Sequence, residues 1–209
     1  MSSAEETSPT IGDPYTNPSE ASRMPPVTRY ITGHNAAGKA IVQSSSQIST
    51  NLGDHFRPGV KNDMGFNVVY ATSQFPPNLN DDADIAAHER ITQSGLLGLT
   101  NPNGVVLRAM DFPPGAPAAL HRTQSLDYGI VLHGEVEMVM EEGEPVRLRP
   151  GDIAIQRATI HGWRNPSATE WARVIFVLQA CQPVTVNGIR LEEDLGHLEP
   201  HIKPSEPIQ

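Results

Sequence analysis

Hydrophobic and polar residues alternate in short runs along the second half of the chain. In the run EVEMVME (135–141), Val136, Met138 and Met140 alternate with glutamates at positions 135, 137 and 141. Alternation with a period of two predicts a β-strand with one apolar face and one wet face.

Similar runs recur about every ten residues and are separated by glycine and proline turns, a spacing typical of a β-sandwich or β-barrel. No βαβ alternation, phosphate-binding glycine loop, nucleophile elbow or internal repeat is present in the sequence. The pattern therefore predicts an all-β domain. Its runs are GVVLRAMDF (104–112), YGIVLHGEVEMVME (128–141), PVRLRPGDIAIQ (145–156), WARVIFVLQA (171–180) and QPVTVNGIRL (182–191).

The first half of the chain predicts fewer elements. Residues 27–43 indicate two strands around a glycine turn, and 65–73 indicate a third strand. Asn80 or Asp81 is expected to begin a short helix that ends by Gly95, an insertion that serves either as a lid or as structural filler. We thus expect a disordered tail over 1–26, strands and a helical lid over 27–99, the β-barrel over 100–192 and a solvated, disordered tail over 193–209.

Composition and charge exclude several classes of function. The 209 residues suit one domain with tails, and the formal net charge of -9 argues against a nucleic-acid partner. The polar N-terminus lacks an apolar segment, so neither a signal peptide nor a membrane partner is expected. The single cysteine, Cys181, favours a reducing compartment, and we expect the protein to be cytoplasmic.

Three potential metal ligands stand out in the strand-rich half: His121, Asp127 and His161. Residues six apart on a strand face the same side, and a histidine from a neighbouring strand would complete the set. Two imidazoles and one carboxylate suit iron, manganese, nickel or zinc, and three protein ligands leave positions open for catalysis. The sequence therefore predicts a divalent metal ion held by these residues.

The same stretch resembles the cupin superfamily. The first cupin motif, G-x5-H-x-H-x3-4-E-x6-G, meets Gly115, His121, Thr123, Asp127 and Gly134 with its spacing intact. The second motif, G-x5-P-x-G-x2-H-x3-N, is met by Gly151, Arg157, Thr159, His161 and Asn165, with one residue deleted and with Arg157 and Thr159 in place of its Pro and Gly. The resemblance covers roughly residues 100–180 and implies a jelly-roll barrel with its site in the mouth. It is closest to small single-domain cupins of bacteria and fungi, often found beside natural-product pathways.

Two positions depart from the motif. Thr123 stands where most metal-binding cupins have a second histidine, and Asp127 replaces the usual glutamate. At most three strong ligands remain. The alternative is a polar pocket without a metal, in which His121 and His161 are hydrogen-bonded.

Further residues are candidates for binding substrate. Arg108 shares the parity of an apolar strand face, where its guanidinium needs either a buried glutamate or an anionic substrate as partner. Gln156 and Thr123 could contact substrate through polar groups, and Trp163 and Tyr128 through aromatic rings.

The resemblance implies a tailoring enzyme acting on an oxygenated or carboxylated, polyketide-like metabolite. We expect a metal-assisted lyase or isomerase that carries out dehydration, decarboxylation or isomerisation. One alternative is a non-haem iron dioxygenase or oxidoreductase at the same site, and another is a non-catalytic cupin that binds a small molecule. Cupins of this size usually form homodimers through N-terminal strands, which would give residues 27–43 that role.

Overall fold

The computed structural model describes residues 22, 24–48, 65–198, 202, 204 and 205. The predicted N-terminal tail lies outside these residues except for Ser22 and residues 24–26. No helix in the described ranges is long and apolar enough to cross a membrane. The elements of these ranges are β1 (Val27–His34), β2 (Ala40–Ile48), β3 (Gly65–Ala71), α1 (Ala83–Gln93), β4 (Val105–Phe112), β5 (Ser125–His133), β6 (Val136–Met140), β7 (Val146–Leu148), β8 (Ile153–Arg157), β9 (His161–Arg164), β10 (Ala172–Ala180), β11 (Thr185–Val186) and β12 (Ile189–Arg190), with 3-10 turns at Asn80–Asp82 and Gly196–Leu198.

Two antiparallel sheets form the barrel. The larger has the strand order β3-β4-β10-β5-β8 and the smaller the order β7-β6-β9. Val131 and Val174 of the larger sheet share one hydrophobic core with Val136 of the smaller sheet. Across this core the rings of Trp163 and Phe176 lie 5.2 Å apart. The fold is an all-β jelly-roll barrel with one short helix, as the sequence predicts.

Alternation along β5 decides which of its residues face the interior. Ser125, Asp127, Gly129 and Val131 are buried, whereas the residues between them are partly exposed. A strand turns successive side chains to opposite faces, so Asp127 points into the barrel.

The predicted hairpin and helix are both present at the N-terminal side. Strands β1 and β2 pair with each other, and α1 packs against β3. The Tyr70 hydroxyl donates a hydrogen bond to Asp84 at 2.5 Å, and its ring stacks on His88 at 4.5 Å. No side chain of α1 borders the cavity described below, and the role of the helix as a lid or as structural filler stays a prediction.

Two expectations differ from the structure. Glu137, expected on a wet face, is only 8% exposed because Arg147 and Arg164 on the flanking strands pair with its carboxylate at 3.1 and 2.5 Å. The predicted C-terminal tail was expected to be solvated. In its described residues (193–198, 202, 204 and 205), called the C-terminal segment below, Leu198 and Ile202 are buried against the barrel.

Candidate active site

A cavity lies inside the barrel, and most of the side chains that line it are apolar. His121, Asp127 and His161, which the sequence predicts to converge, all border this cavity. Its remaining lining residues are Leu99, Arg108, Met110, Phe112, Ala119, Trp163, Phe176, Leu178, Leu198 and Ile202.

His121 and His161 form an adjacent pair of imidazoles. Their backbones exchange hydrogen bonds of 2.9 and 3.0 Å, which sets the ring centroids 4.6 Å apart. Nδ1 of His121 lies 2.9 Å from the carbonyl oxygen of Ala119, and Nδ1 of His161 lies 3.0 Å from that of Thr159. Because a carbonyl oxygen only accepts, each Nδ1 carries the proton and each Nε2 keeps a free lone pair.

Burial keeps both imidazoles neutral. Desolvation lowers the pKa of His121, and desolvation together with the neighbouring His121 lowers the pKa of His161 to about 4. Removing a cation from water is costly, so each ring resists protonation at neutral pH. The pair therefore offers two Nε2 atoms that can accept a proton or a hydrogen bond.

Asp127 is a buried carboxyl group held by hydroxyls. Burial raises its pKa to about 6, and hydrogen bonds from Ser125 and Thr123 oppose that rise. The two hydroxyl oxygens lie 2.7 Å from each other. Among the described residues, Oδ1 of Asp127 has no hydrogen-bond partner although it is buried. One carboxyl oxygen is therefore anchored and the other is unused.

Arg108 is fully buried on β4 and borders the cavity. Its Nε donates to the carbonyl oxygen of Leu99 at 3.2 Å, and its Nη2 donates to that of Gly98. Burial lowers the pKa of the guanidinium to about 9, which leaves it charged at neutral pH. These backbone carbonyls are protein partners that the sequence did not indicate, and contact between Arg108 and substrate stays a prediction.

The structure does not bring Thr123, Tyr128 or Gln156 to the cavity lining. Tyr128 alternates with Asp127 along β5 and so lies on the other face of the strand. Gln156 is buried but occupied, because its Oε1 accepts from Thr159 and its Nε2 donates to the sulfur of Met138, both at 2.7 Å. Trp163, the remaining candidate, does line the cavity.

The donors fit a metal ion only in part. The two imidazoles have the protonation pattern of metal ligands, with Nδ1–H bound to a carbonyl and Nε2 free. Within the described ranges, however, no three side chains of His, Cys, Asp or Glu come together closely enough to hold one ion. The predicted three-ligand site is not assembled by these side-chain positions, so no step below passes through a metal.

Several residues of the site were not predicted from the sequence, among them Ser125, Leu198 and Ile202. Ser125 shares the parity of Asp127 on β5, a signal that could have revealed it. Leu198 and Ile202 lie beyond the last predicted strand. Their spacing of four residues is the one signal in the sequence that could have indicated two apolar side chains facing the same way.

Comparisons with known proteins show the family of the chain. A family model described as a cupin domain matches residues 108–178. The cupin-domain-containing oxidoreductase fogC of Aspergillus ruber is 42% identical over 174 residues, which are 82% of this chain and 81% of that protein. The chain belongs to the cupin family.

Two further similarities accompany this cupin. Phomopsin biosynthesis cluster protein C' of Diaporthe leptostromiformis is 37% identical over 77% of this chain and 82% of its own. A solved Cupin 2 conserved barrel domain protein from Salinispora arenicola aligns at a TM-score of 0.33 and 20% identity, over 35% of this chain and 61% of that one. The family match spans β4 to β10, so it includes both histidines and Asp127 but not the C-terminal segment.

Proposed function

We propose that this cupin is a tailoring enzyme of secondary metabolism that moves a proton on an oxygenated small molecule inside the barrel. One observation carries the proposal: two imidazoles with free Nε2 atoms and a carboxyl with an unused oxygen border one largely apolar cavity. In such surroundings, electrostatic interactions with a reacting group are stronger than in water. The biosynthetic-cluster name of the Diaporthe relative supports the class of metabolism.

In the proposed reaction, Nε2 of one imidazole removes a proton from a substrate carbon next to a carbonyl group. The protonated form of Asp127 donates its proton from Oδ1 to the substrate oxygen, or returns it to a second carbon. The cationic Arg108 favours negative charge as it develops on that oxygen. Proton removal and return give an isomerisation, and loss of a hydroxyl group as water gives a dehydration, without any transfer of electrons to the protein.

Deuterium exchange tests this proposal without knowledge of the natural substrate. In D2O, the protein is expected to speed deuterium incorporation beside the carbonyl of an enolisable probe such as phenylacetone, measured by NMR. His161→Gln should reduce the rate about a hundredfold, the usual size of general-base catalysis. His133→Gln is the control, because His133 is exposed at the end of β5.

The rate should also be the same before and after dialysis against EDTA, because the proposed step uses only protein side chains. A rate no faster than buffer, or His121→Gln and His161→Gln variants that are both as fast as the wild type, would contradict the proposal. A rate lost on dialysis and restored by one metal would instead support the metal-assisted form of the reaction.

A second candidate is an oxidoreductase at the same site. The Aspergillus ruber relative is named a cupin-domain-containing oxidoreductase, which favours this candidate. The product separates the two candidates: isomerisation preserves the mass and dehydration removes one water, whereas oxidation or reduction changes the count of hydrogen or oxygen in another way. A redox-neutral enzyme should also keep its turnover under nitrogen, and an oxygen-dependent one should lose it.

A further inference from the structure

We infer that the C-terminal segment forms a wall of the substrate site, where Leu198 and Ile202 set the size of the apolar group that the cavity accepts. The inference rests on the proposed function, because it takes this cavity as the substrate site. It adds two specificity-determining residues that lie outside the part of the chain matched by the cupin model.

Both side chains are placed to contact a bound molecule. Leu198 is 5% exposed and Ile202 is 4% exposed, and both border the cavity. The Ile202 N–H donates to the Leu198 carbonyl oxygen at 2.8 Å, an i,i+4 contact that puts the two side chains on one face. Leu195 is equally buried in the same core but does not line the cavity, which makes it a natural control.

The segment is fixed next to the imidazole pair at its first end. Asp194 exchanges backbone hydrogen bonds of 2.6 and 3.0 Å with Arg122, the neighbour of His121. Leu195 and Leu198 follow this contact directly, and the Leu198 N–H donates to the Leu195 carbonyl oxygen at 2.8 Å. The position of Leu198 is therefore tied to the strand entrance that carries His121.

At its other end the segment is held by the chain that precedes β4. The hydroxyl groups of Thr100 and Ser205 lie 2.9 Å apart, and a Cβ placed on Gly98 would come within 2.8 Å of the Ser205 Cα. Arg108 binds the carbonyls of Gly98 and Leu99, so this stretch is itself fixed to the cavity wall. Asp194 and Ser205, which precede and follow Leu198 and Ile202 in the chain, are thus both hydrogen-bonded to other parts of the molecule.

The chemistry of the lining indicates the class of ligand. Leu198 and Ile202 offer no polar atom, whereas His121, His161 and Asp127 supply the polar groups of the same cavity. A molecule that satisfies both parts has an oxygenated head and an alkyl or other apolar substituent. Truncating either side chain enlarges the space for the substituent, and each additional methylene buried there raises affinity about fourfold.

Binding of 4-alkylphenols from methyl to hexyl, followed by titration calorimetry, tests the inference. In Leu198→Ala and Ile202→Ala, the ratio of the affinity for 4-hexylphenol to that for 4-propylphenol should rise at least tenfold, because about two more methylenes are accommodated. Leu195→Ala should leave the ratio within a factor of two of the wild type. Melting curves and circular dichroism confirm that each variant is folded.

An unchanged ratio in folded Leu198→Ala and Ile202→Ala, or an equal change in Leu195→Ala, would overturn the inference. If the alanine variants do not fold, Ile202→Val serves in their place and should raise the ratio about fourfold by removing one methylene. Failure of the whole series to bind wild-type protein also overturns the inference. Because the readout is binding, a protein that selects chain length but exchanges no deuterium would refute only the proposed reaction.

Discussion

Thr123 stands where most metal-binding cupins have a histidine, and here its hydroxyl serves a carboxyl group. The hydroxyls of Thr123 and Ser125 lie 2.7 Å apart, so one donates to the other and the remaining hydroxyl proton is directed at Asp127; all three side chains are buried. Hydroxyl donors favour the charged form of a carboxyl group, while burial favours the neutral form. Their balance places the pKa of Asp127 at about 6, where the group can both give and take a proton near neutral pH.

Replacing Thr123 by valine should disturb this balance with little change of volume. Without one hydroxyl donor, the pKa of Asp127 is expected to rise above about 6. Carbon-detected NMR titration of the aspartate carboxyls measures it. The matched control is Thr159→Val, because the hydroxyl of Thr159 binds Gln156 instead. A pKa unchanged in Thr123→Val, or raised equally in Thr159→Val, would disprove the role assigned to Thr123.

Among the elements, those with regular alternation were predictable and those with mixed composition were not. Strands β4, β5 and β10 follow the predicted runs, because a strand buried on one face needs an apolar residue at every second position. Strand β9 is not among the predicted hydrophobic runs, although His161 was expected on a neighbouring strand, since its four residues, His161–Arg164, include a glycine and two polar side chains. Residues 161–164 form a strand because they pair with β6. Local sequence does not predict pairing between segments that are distant in the chain.

Docking of the C-terminal segment depends on a close backbone approach at Gly98. A methyl group there would lie 2.8 Å from the Ser205 Cα, closer than carbon atoms tolerate. Gly98→Ala should therefore lower the free energy of unfolding by about 1–3 kcal/mol, the usual cost of overpacking. Urea denaturation measures the loss, and limited proteolysis should show faster cleavage after the barrel strands. Wild-type stability and protection in this variant would contradict the docked position.

For the molecule as a whole, motif spacing predicted the barrel and the three residues that share its cavity. It also predicted a three-ligand metal site, which the side chains of the described residues do not assemble, because spacing fixes the strand and the face but not side-chain distances. Tyr128 and Gln156 do not line this cavity, because Tyr128 lies on the other face of β5 and the amide of Gln156 is bound to Thr159 and Met138. Their contacts with substrate stay predictions.

Buried neutral histidines should make the folded protein sensitive to acid. The pKa values of His88 and His161 are both lowered to about 4, chiefly by burial. Between pH 6.5 and 4 the unfolded chain binds protons at these residues and the folded chain does not, so stability is lost as the pH falls. Asp127 acts in the opposite direction, because its raised pKa favours the folded state at pH 4 to 6. The two histidines together change the free energy of unfolding by more than Asp127 does, so the protein is less stable in acid.

Unfolding free energies at pH 7 and pH 5 test this balance. The wild type should be less stable at pH 5, and His88→Gln should reduce that difference by about 2 kcal/mol, the proton-linked contribution of one such histidine. His133→Gln, at an exposed position, should leave the difference unchanged. Equal pH dependence in the His88 variant and the wild type would show that His88 does not carry the effect.

The proposed chemistry requires two neutral imidazoles that keep their Nε2 lone pairs. Long-range proton–nitrogen NMR of the 15N-labelled protein at pH 6 reads the protonation of each ring nitrogen directly, with His121→Gln and His161→Gln providing the assignments. The structure predicts protonated Nδ1 and unprotonated Nε2 in both rings, because each Nδ1 faces a backbone carbonyl. A proton on Nε2 of both rings, or two imidazolium ions at this pH, would contradict the proposed proton transfer, because neither ring could then act as the base.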